Sequence, residues 1–147
     1  MVMSSAQERF RQLLKHNGQS VTAARMAVFE ALVGQEPVTM HALVARVPDI
    51  DRASVYRAIE LFERLGVVQR LNTGWKYKLE LSDKFAEHHH HLTCTSCGTT
   101  TAINEDELEQ LLARLAESYG FTPAAHQLEI QGLCSNCRLK GAAHAAR

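Results

Sequence analysis

His88-His89-His90-His91-Leu92-Thr93-Cys94-Thr95-Ser96-Cys97 is the stretch on which this chain turns, and Cys134-Ser135-Asn136-Cys137 answers it near the C-terminal end. Most of the strong metal donors therefore lie in the second half. Thiolate and imidazole suit zinc and similar transition metals, and four thiolates can close a tetrahedral structural site. Each CxxC turn brings two sulfurs to one ion, so Cys94, Cys97, Cys134 and Cys137 are expected to share one zinc. The 36 residues between the pairs exceed the gap of a simple zinc ribbon, and a helix and a strand are expected to fill it. Redox-active CxxC is the alternative, although that motif normally occurs once, at a helix start after a strand.

The four histidines could be an expression tag, a solvated run or ligands. A tag usually lies at a terminus, and this run sits inside patterned sequence. On an extended strand successive side chains face opposite sides. His88 and His90 would point one way and His89 and His91 the other, so one strand could feed two metal sites. With Glu109 and His126, His88 and His90 would make an N3O set suited to zinc or another divalent ion. His89 and His91 need a carboxylate from before the run, and Glu80 is the first choice. For any of these residues taken alone, solvent exposure is the commoner explanation.

Working outward, the first half reads as helices followed by a hairpin. Helices are expected from Ser4 to about His16, after a Thr22 cap, from a Thr39 cap through Val47, and after an Asp51 cap with Gly66 as its stop. Val67 to Leu71, a turn at Asn72-Thr73-Gly74, and Trp75 to Leu81 read as a β-hairpin. This order describes a winged helix-turn-helix or an anonymous small α+β domain. Residues 82–87 read as a hinge. Beyond it, His89 to Thr93, Thr99 to Ile103 and His126 to Leu133 read as strands. Glu105 to Tyr119 reads as a helix with a stripe of Leu108, Leu111, Leu112 and Leu115. That stripe is either plain core or a dimer face. The expected domains are 1–81, the hinge 82–87, a metal-binding domain over 88–140, and a flexible tail over 141–147.

Composition agrees with a globular chain: 147 residues, 46% hydrophobic and 22% charged, with formal net charge zero. Residues 1–80 hold 11 Lys/Arg against 8 Asp/Glu, and residues 81–147 hold 5 against 8. The direction suits DNA contact in the first half and cation binding in the second. No apolar run approaches the roughly 20 residues of a membrane span, and the start lacks a signal-peptide pattern. A cytoplasmic protein with reduced thiols is therefore expected.

Val21-Thr-Ala-Ala-Arg25, Ala53-Ser-Val-Tyr-Arg57, His88-His-His-His-Leu-Thr-Cys-Thr-Ser-Cys-Gly98 and His126-Gln-Leu-Glu-Ile-Gln-Gly-Leu-Cys-Ser-Asn-Cys137 together resemble the ferric uptake regulator superfamily of iron-, zinc- and peroxide-sensing repressors. The resemblance runs from about Phe10 to Cys137. It implies an α+β protein with an N-terminal winged helix-turn-helix DNA-binding domain and a small C-terminal α/β dimerisation domain. It also implies a homodimer that grips AT-rich palindromic double-stranded operators when metal is bound. Position by position, the four cysteines match structural zinc ligands, and His88, His90, Glu109 and His126 match a complete site in the dimerisation domain. Tyr56 and Arg57 match recognition-helix residues, and Lys15 matches a basic residue near the minor groove. Arg25, Arg52 and Ser54 complete the expected DNA-binding set, with phosphate contacts from Arg52, Arg57 and Lys15 and a thymine methyl against Tyr56.

The sensory site is where the chain departs from the family pattern. Pro37 stands where the family usually has a histidine, Ala102 stands at an acidic position, and a cysteine common near the hinge of zinc regulators is missing. Glu80, His89 and His91 remain, with Glu36, His41 or Asp83 as possible fourth donors. His90, where iron sensors often have aspartate, looks more like the zinc-sensing branch. The expected function is a metal-activated repressor of metal homeostasis with structural Zn2+ and a second, regulatory Zn2+ or Fe2+. A peroxide sensor is the alternative within the family. A zinc hydrolase or thiol oxidoreductase is the enzyme alternative, against which no HExxH motif is present. A DNA binder with only a structural zinc is the third.

Overall fold

Side-chain caps set the helices of the N-terminal half. Thr22 accepts a hydrogen bond from the Arg25 amide, Thr39 from that of Ala42, and Asp51 from that of Ser54. Each satisfies an amide that the first helical turn leaves without a partner. A computed structural model describes residues 5–72, 76–124 and 126–145. They fall into two units, residues 1–87 and 88–147.

The first unit holds α1 (Ser5–His16), α2 (Ala23–Glu30), α3 (Met40–Arg46), α4 (Arg52–Arg64), β1 (Val68–Asn72) and β2 (Tyr77–Leu81). Gly66, at φ 64°, ends α4 in the left-handed region and turns the chain into β1. β1 and β2 pair antiparallel, with Val68 opposite Leu81 and Gln69 opposite Glu80. Val38 bridges to Leu79 and adds a short third edge to this wing. The expected turn residues Thr73 and Gly74, and the expected strand start at Trp75, lie outside the described residues.

Apolar residues at helical spacing converge on one core. Phe10, Leu14, Val28, Phe29, Leu43, Val55 and Phe62 are fully buried. Phe10 stacks on Phe29 at 4.1 Å between ring centroids and meets Phe62 edge-on at 5.0 Å. Full burial of one such ring contributes about 1.5–3 kcal/mol relative to exposure. Phe85 meets Phe29 edge-on at 5.3 Å, and Ala86 packs on the same core. The segment read from sequence as a hinge is thus partly anchored on the first unit, because Phe85 gains more from that core than from water.

The second unit holds β3 (His90–Cys94), β4 (Thr100–Ile103), α5 (Asp106–Ser118), β5 (Glu129–Gly132) and α6 (Ser135–Ala145). The strand order is β4-β3-β5. β3 pairs antiparallel with β4 through the tight turn at Cys97-Gly98, and parallel with β5, to which α5 carries the chain back. Two expectations change here. β5 begins at Glu129 rather than His126, leaving His126 ahead of the strand. The segment after Cys134 forms α6, a helix absent from the sequence reading, which extends through Ala145 into the expected tail; residues 146 and 147 lie outside the described residues.

Helix α5 buries none of its residues. The leucine stripe is therefore not core within the single chain: Leu111 and Leu115 are 54% and 53% exposed. Among the described residues, no helix is long and apolar enough to cross a membrane.

Candidate metal centres

The parallel pairing of β3 with β5 assembles the cysteines. Cys94 ends β3 opposite Gly132, and Cys134 follows two residues later. The amide of Thr95 donates to the Gly132 carbonyl at 2.8 Å, which stitches the two turns together. Cys97 lies in a turn closed by the Gly98 amide donating to the Cys94 carbonyl at 2.9 Å. Gly98 has φ 73°, a conformation that costs a side chain strain. Cys134 immediately precedes α6, and Cys137 lies in its first turn.

All four sulfurs lie within 4.8 Å of one another, and Cys97 and Cys134 are 3.9 Å apart. A tetrahedral ion at a Zn–S distance of about 2.3 Å would set its sulfurs about 3.8 Å apart. The donor chemistry and the spacing both fit zinc. No disulfide forms, and all four cysteines are free thiols. Amide donors from Cys134 and Cys97 bring the Cys94 thiol down to about 6. A Ser96 hydrogen bond pulls Cys137 down, but the neighbouring sulfurs of Cys134, Cys97 and Cys94 outweigh it and push it up to about 11. Negative charge therefore gathers first at Cys94 and is resisted at Cys137, a conflict that a cation relieves.

The second constellation lies on one side of β3 and its lead-in. His88 and His90 have their rings 4.8 Å apart, edge to face, and His89 and His91 make a similar pair at 4.6 Å. The alternation expected from strand geometry groups the four imidazoles as two pairs. Glu109, in the first turns of α5, gathers the first pair together with His126. Its Oε1 is 2.7 Å from His90 Nε2 and 3.3 Å from His88 Nε2, and its Oε2 is 3.0 Å from His126 Nε2. His88 and His126 bring their Nε2 atoms within 3.1 Å. Tetrahedral coordination at a Zn–N distance of about 2.0–2.1 Å spaces donors about 3.3 Å apart, so this N3O set also fits a divalent ion. Partial desolvation raises the Glu109 carboxyl, but hydrogen bonds from His90 and His126 and the charges of His126 and His88 hold it below its ordinary value. It is thereby kept as a carboxylate, the form that binds metal.

The third set is distributed. Glu80 sits on β2 and is buried, and Gln69 Nε2 donates to its Oε1 at 2.7 Å across the β1–β2 pair. His89 and His91 belong to the other unit. Gln69 was not among the residues singled out from sequence; the register that puts it opposite Glu80 is the signal that reveals it.

The expected DNA-binding residues cluster on α4. Arg52, Tyr56 and Arg57 are exposed on the face opposite Val55, Ile59 and Phe62. Arg52 donates to the Tyr56 hydroxyl at 3.2 Å and lies over its ring, and Arg57 donates to Ser54 at 2.9 Å. Lys15 is exposed near the end of α1. Arg25 differs: its guanidinium donates to the Ser20 carbonyl at 2.5 Å and so braces the loop before α2.

Comparison with known proteins matches this architecture throughout. The family model for the ferric uptake regulator family matches residues 16–131. The ferric uptake regulation proteins of Neisseria meningitidis serogroup A and of Yersinia pestis are 31% and 32% identical over 145 residues. Both matches cover 91% of this chain, and they cover 98% and 95% of the relatives. The crystal structure of the Vibrio cholerae ferric uptake regulator superposes with a TM-score of 0.69 at 32% identity, covering 85% of this chain and 99% of that one. A winged-helix unit, a β4-β3-β5 unit with clustered thiols and imidazoles, and a match along most of the length have one common explanation: the chain belongs to the ferric uptake regulator family, whose members are metal-responsive transcription regulators rather than enzymes.

Proposed function

We propose that this protein is a homodimeric repressor of metal-homeostasis genes that binds an AT-rich palindromic operator only when a regulatory Zn2+ or Fe2+ is bound. The observation that carries the reading is the convergence of three imidazole Nε2 atoms on the two oxygens of Glu109, beside an independent four-thiol cluster. Cys94, Cys97, Cys134 and Cys137 would hold a structural zinc. His88, His90, Glu109 and His126 would hold a second ion, and His89 and His91 would offer two further imidazoles from the same strand. A bound ion supplies fixed positive charge and a preferred donor geometry. The donors of the second set tie the start of β3 to α5, which orders the face that α5 presents.

That face favours a second copy of the chain. On α5, Leu111 and Leu115 are about half exposed, and a separate apolar patch of Leu92, Ile130 and Leu133 lies on the sheet. A hollow of about 930 Å³ along α5 is lined by Leu112, Leu115, Tyr119 and Phe121 among others. Large apolar side chains left open to water in this number mark an interaction surface. Two-fold pairing would present two α4 helices to two half-sites of a palindrome. The Vibrio cholerae relative is described with DNA-binding domains, in keeping with this role for the first unit. Arg52, Arg57 and Lys15 would meet phosphates, and Tyr56 would pack on a base. Metal control requires tighter ion binding in the DNA-competent arrangement than in any other.

The test is operator affinity at fixed salt, measured in chelator and with zinc or ferrous ion added. Metal is expected to tighten binding by about tenfold or more. Unchanged affinity overturns the reading. Tyr56→Ala and Arg57→Ala are each expected to cost about 1–3 kcal/mol of operator binding while the zinc content stays at the parent level.

A further inference from the structure

Arg52 opens α4 directly after the Asp51 cap, in a first turn that holds no acidic residue. A cation there faces the positive end of the helix dipole, so helix stability does not account for it. Its side chain runs along the helix surface to Tyr56, four residues on, where side chains of a helix meet. The guanidinium carbon lies 5.4 Å from the centroid of the Tyr56 ring, and Nη2 donates to the phenol oxygen at 3.2 Å. Both residues are exposed, on the face of α4 opposite the buried Val55, Ile59 and Phe62. Arg57 is arranged differently: it donates to Ser54 and lies 4.0 Å from the Asp51 carboxylate, which takes up part of its charge.

We infer that Arg52 is a positioning residue for base recognition by Tyr56: it holds the ring in one rotamer and makes the phenol a hydrogen-bond donor toward the base. This rests on α4 being the DNA-reading helix, as proposed above. The bond from Nη2 uses the phenol oxygen as an acceptor, which leaves its O–H to be donated outward. Accepting one bond also polarises the hydroxyl and strengthens the one it gives. The major groove offers such a donor thymine O4, adenine N7, and guanine N7 and O6. Thymine sets O4 beside a methyl group, so a fixed Tyr56 can meet the first with its hydroxyl and the second with its ring. A rotamer held before DNA arrives loses less entropy on binding. Arg52 carries five N–H donors in a planar fork, and its partner is neutral, so the guanidinium keeps its charge and its remaining donors for a phosphate. Phosphate contact and base reading thus pass through one pair of side chains.

The experiment uses the full-length protein in zinc and, separately, in ferrous ion. The probes are a duplex recovered by the parent protein from a random-sequence pool, its single-base-pair variants, and a scrambled duplex of the same length. Arg52→Lys keeps the charge and removes the planar fork. It is expected to bind the scrambled duplex as the parent does, with the same salt dependence, while its preference for the recovered duplex falls by about 3- to 10-fold. The loss should fall at the base pair that Tyr56→Phe also relaxes. Arg52→Lys in a Tyr56→Phe background should cost no more than Tyr56→Phe alone. Melting temperatures should match the parent, because both side chains are exposed; a loss of preference that tracks a lower melting temperature overturns the role. If Arg52→Lys keeps every base preference of the parent, weakens both duplexes alike, or adds its full loss to that of Tyr56→Phe, Arg52 does not position Tyr56, and the DNA-reading role of α4 stands. If the parent recovers no preferred duplex with either ion, the reading of the chain as a DNA-binding regulator fails, and the role of Arg52 with it.

Discussion

The two units are held together by different physics. In the first, Phe10, Phe29, Phe62, Leu14, Leu43 and Val55 form one dry core under four helices and a wing. In the second, the buried residues among those described are His90, His91, Thr93 and Cys94, and α5 buries nothing at all. A segment of this length with almost no apolar interior cannot offset the entropy of ordering its chain by hydrophobic burial. On the proposed function, ions and a second subunit would supply the difference. If the proposed ions bind there, the part that senses metal is the part with the least core of its own.

The largest expected effect attacks this contrast directly. Removing the structural ion with a strong chelator should unfold the second unit and leave the first intact, because structural zinc contributes apparent energies of about 10–16 kcal/mol in small domains. Limited proteolysis should then destroy residues 88–140 and spare the first 81. Equal resistance of both segments in chelator would break the comparison.

The converse perturbation is smaller. Phe62→Ala empties a fully buried position in the first core and should cost about 3–5 kcal/mol of stability. Zinc content measured in the folded protein should not change. Loss of zinc from this variant would show that the two units do not fold independently.

Leu111→Glu probes the uncovered face of α5. Because each copy would contribute one such leucine worth about 1.5–3 kcal/mol, dimerisation should weaken by roughly 100-fold or more. Sedimentation at several protein concentrations measures it, and a parent-like dimer would place the interface elsewhere.

The smallest effect belongs to pH. Hydrogen bonds from the hydroxyl and amide of Ser54 hold the Asp51 carboxyl below its ordinary range. A depressed folded-state value means that this cap stabilises α4 fully above the ordinary aspartate range and loses its effect as pH falls through the folded value. Asp51→Ala should therefore lower the melting temperature slightly at neutral pH, and the difference from the parent should vanish in acid. A difference that persists unchanged at low pH would show that the charge is irrelevant there.

Much of this was readable in the residues alone. Local rules fix local features, so Thr22, Thr39 and Asp51 marked the helix starts, and each is a cap in the structure. The period of two along a strand separated His88 and His90 from His89 and His91, and the structure pairs the rings in that way. Ligand type and CxxC spacing named the four sulfurs, which lie together as a tetrahedral ion requires.

What no local rule could supply was everything that depends on partners distant in the chain. The parallel pairing of β3 with β5 brings Cys134 to Cys94, and it places Glu129 rather than His126 at the start of the strand. Phe85 leaves the expected hinge because Phe10 and Phe29, more than fifty residues earlier, offer it a core. The α5 stripe could have been interior or interface, since its periodicity is the same in both cases. Gln69 looked like any polar strand residue until the hairpin register set it against Glu80. Residue types and their periods settle which chemistry is possible, whereas long-range packing decides which of those groups meet, because that choice depends on the free energy of the whole chain.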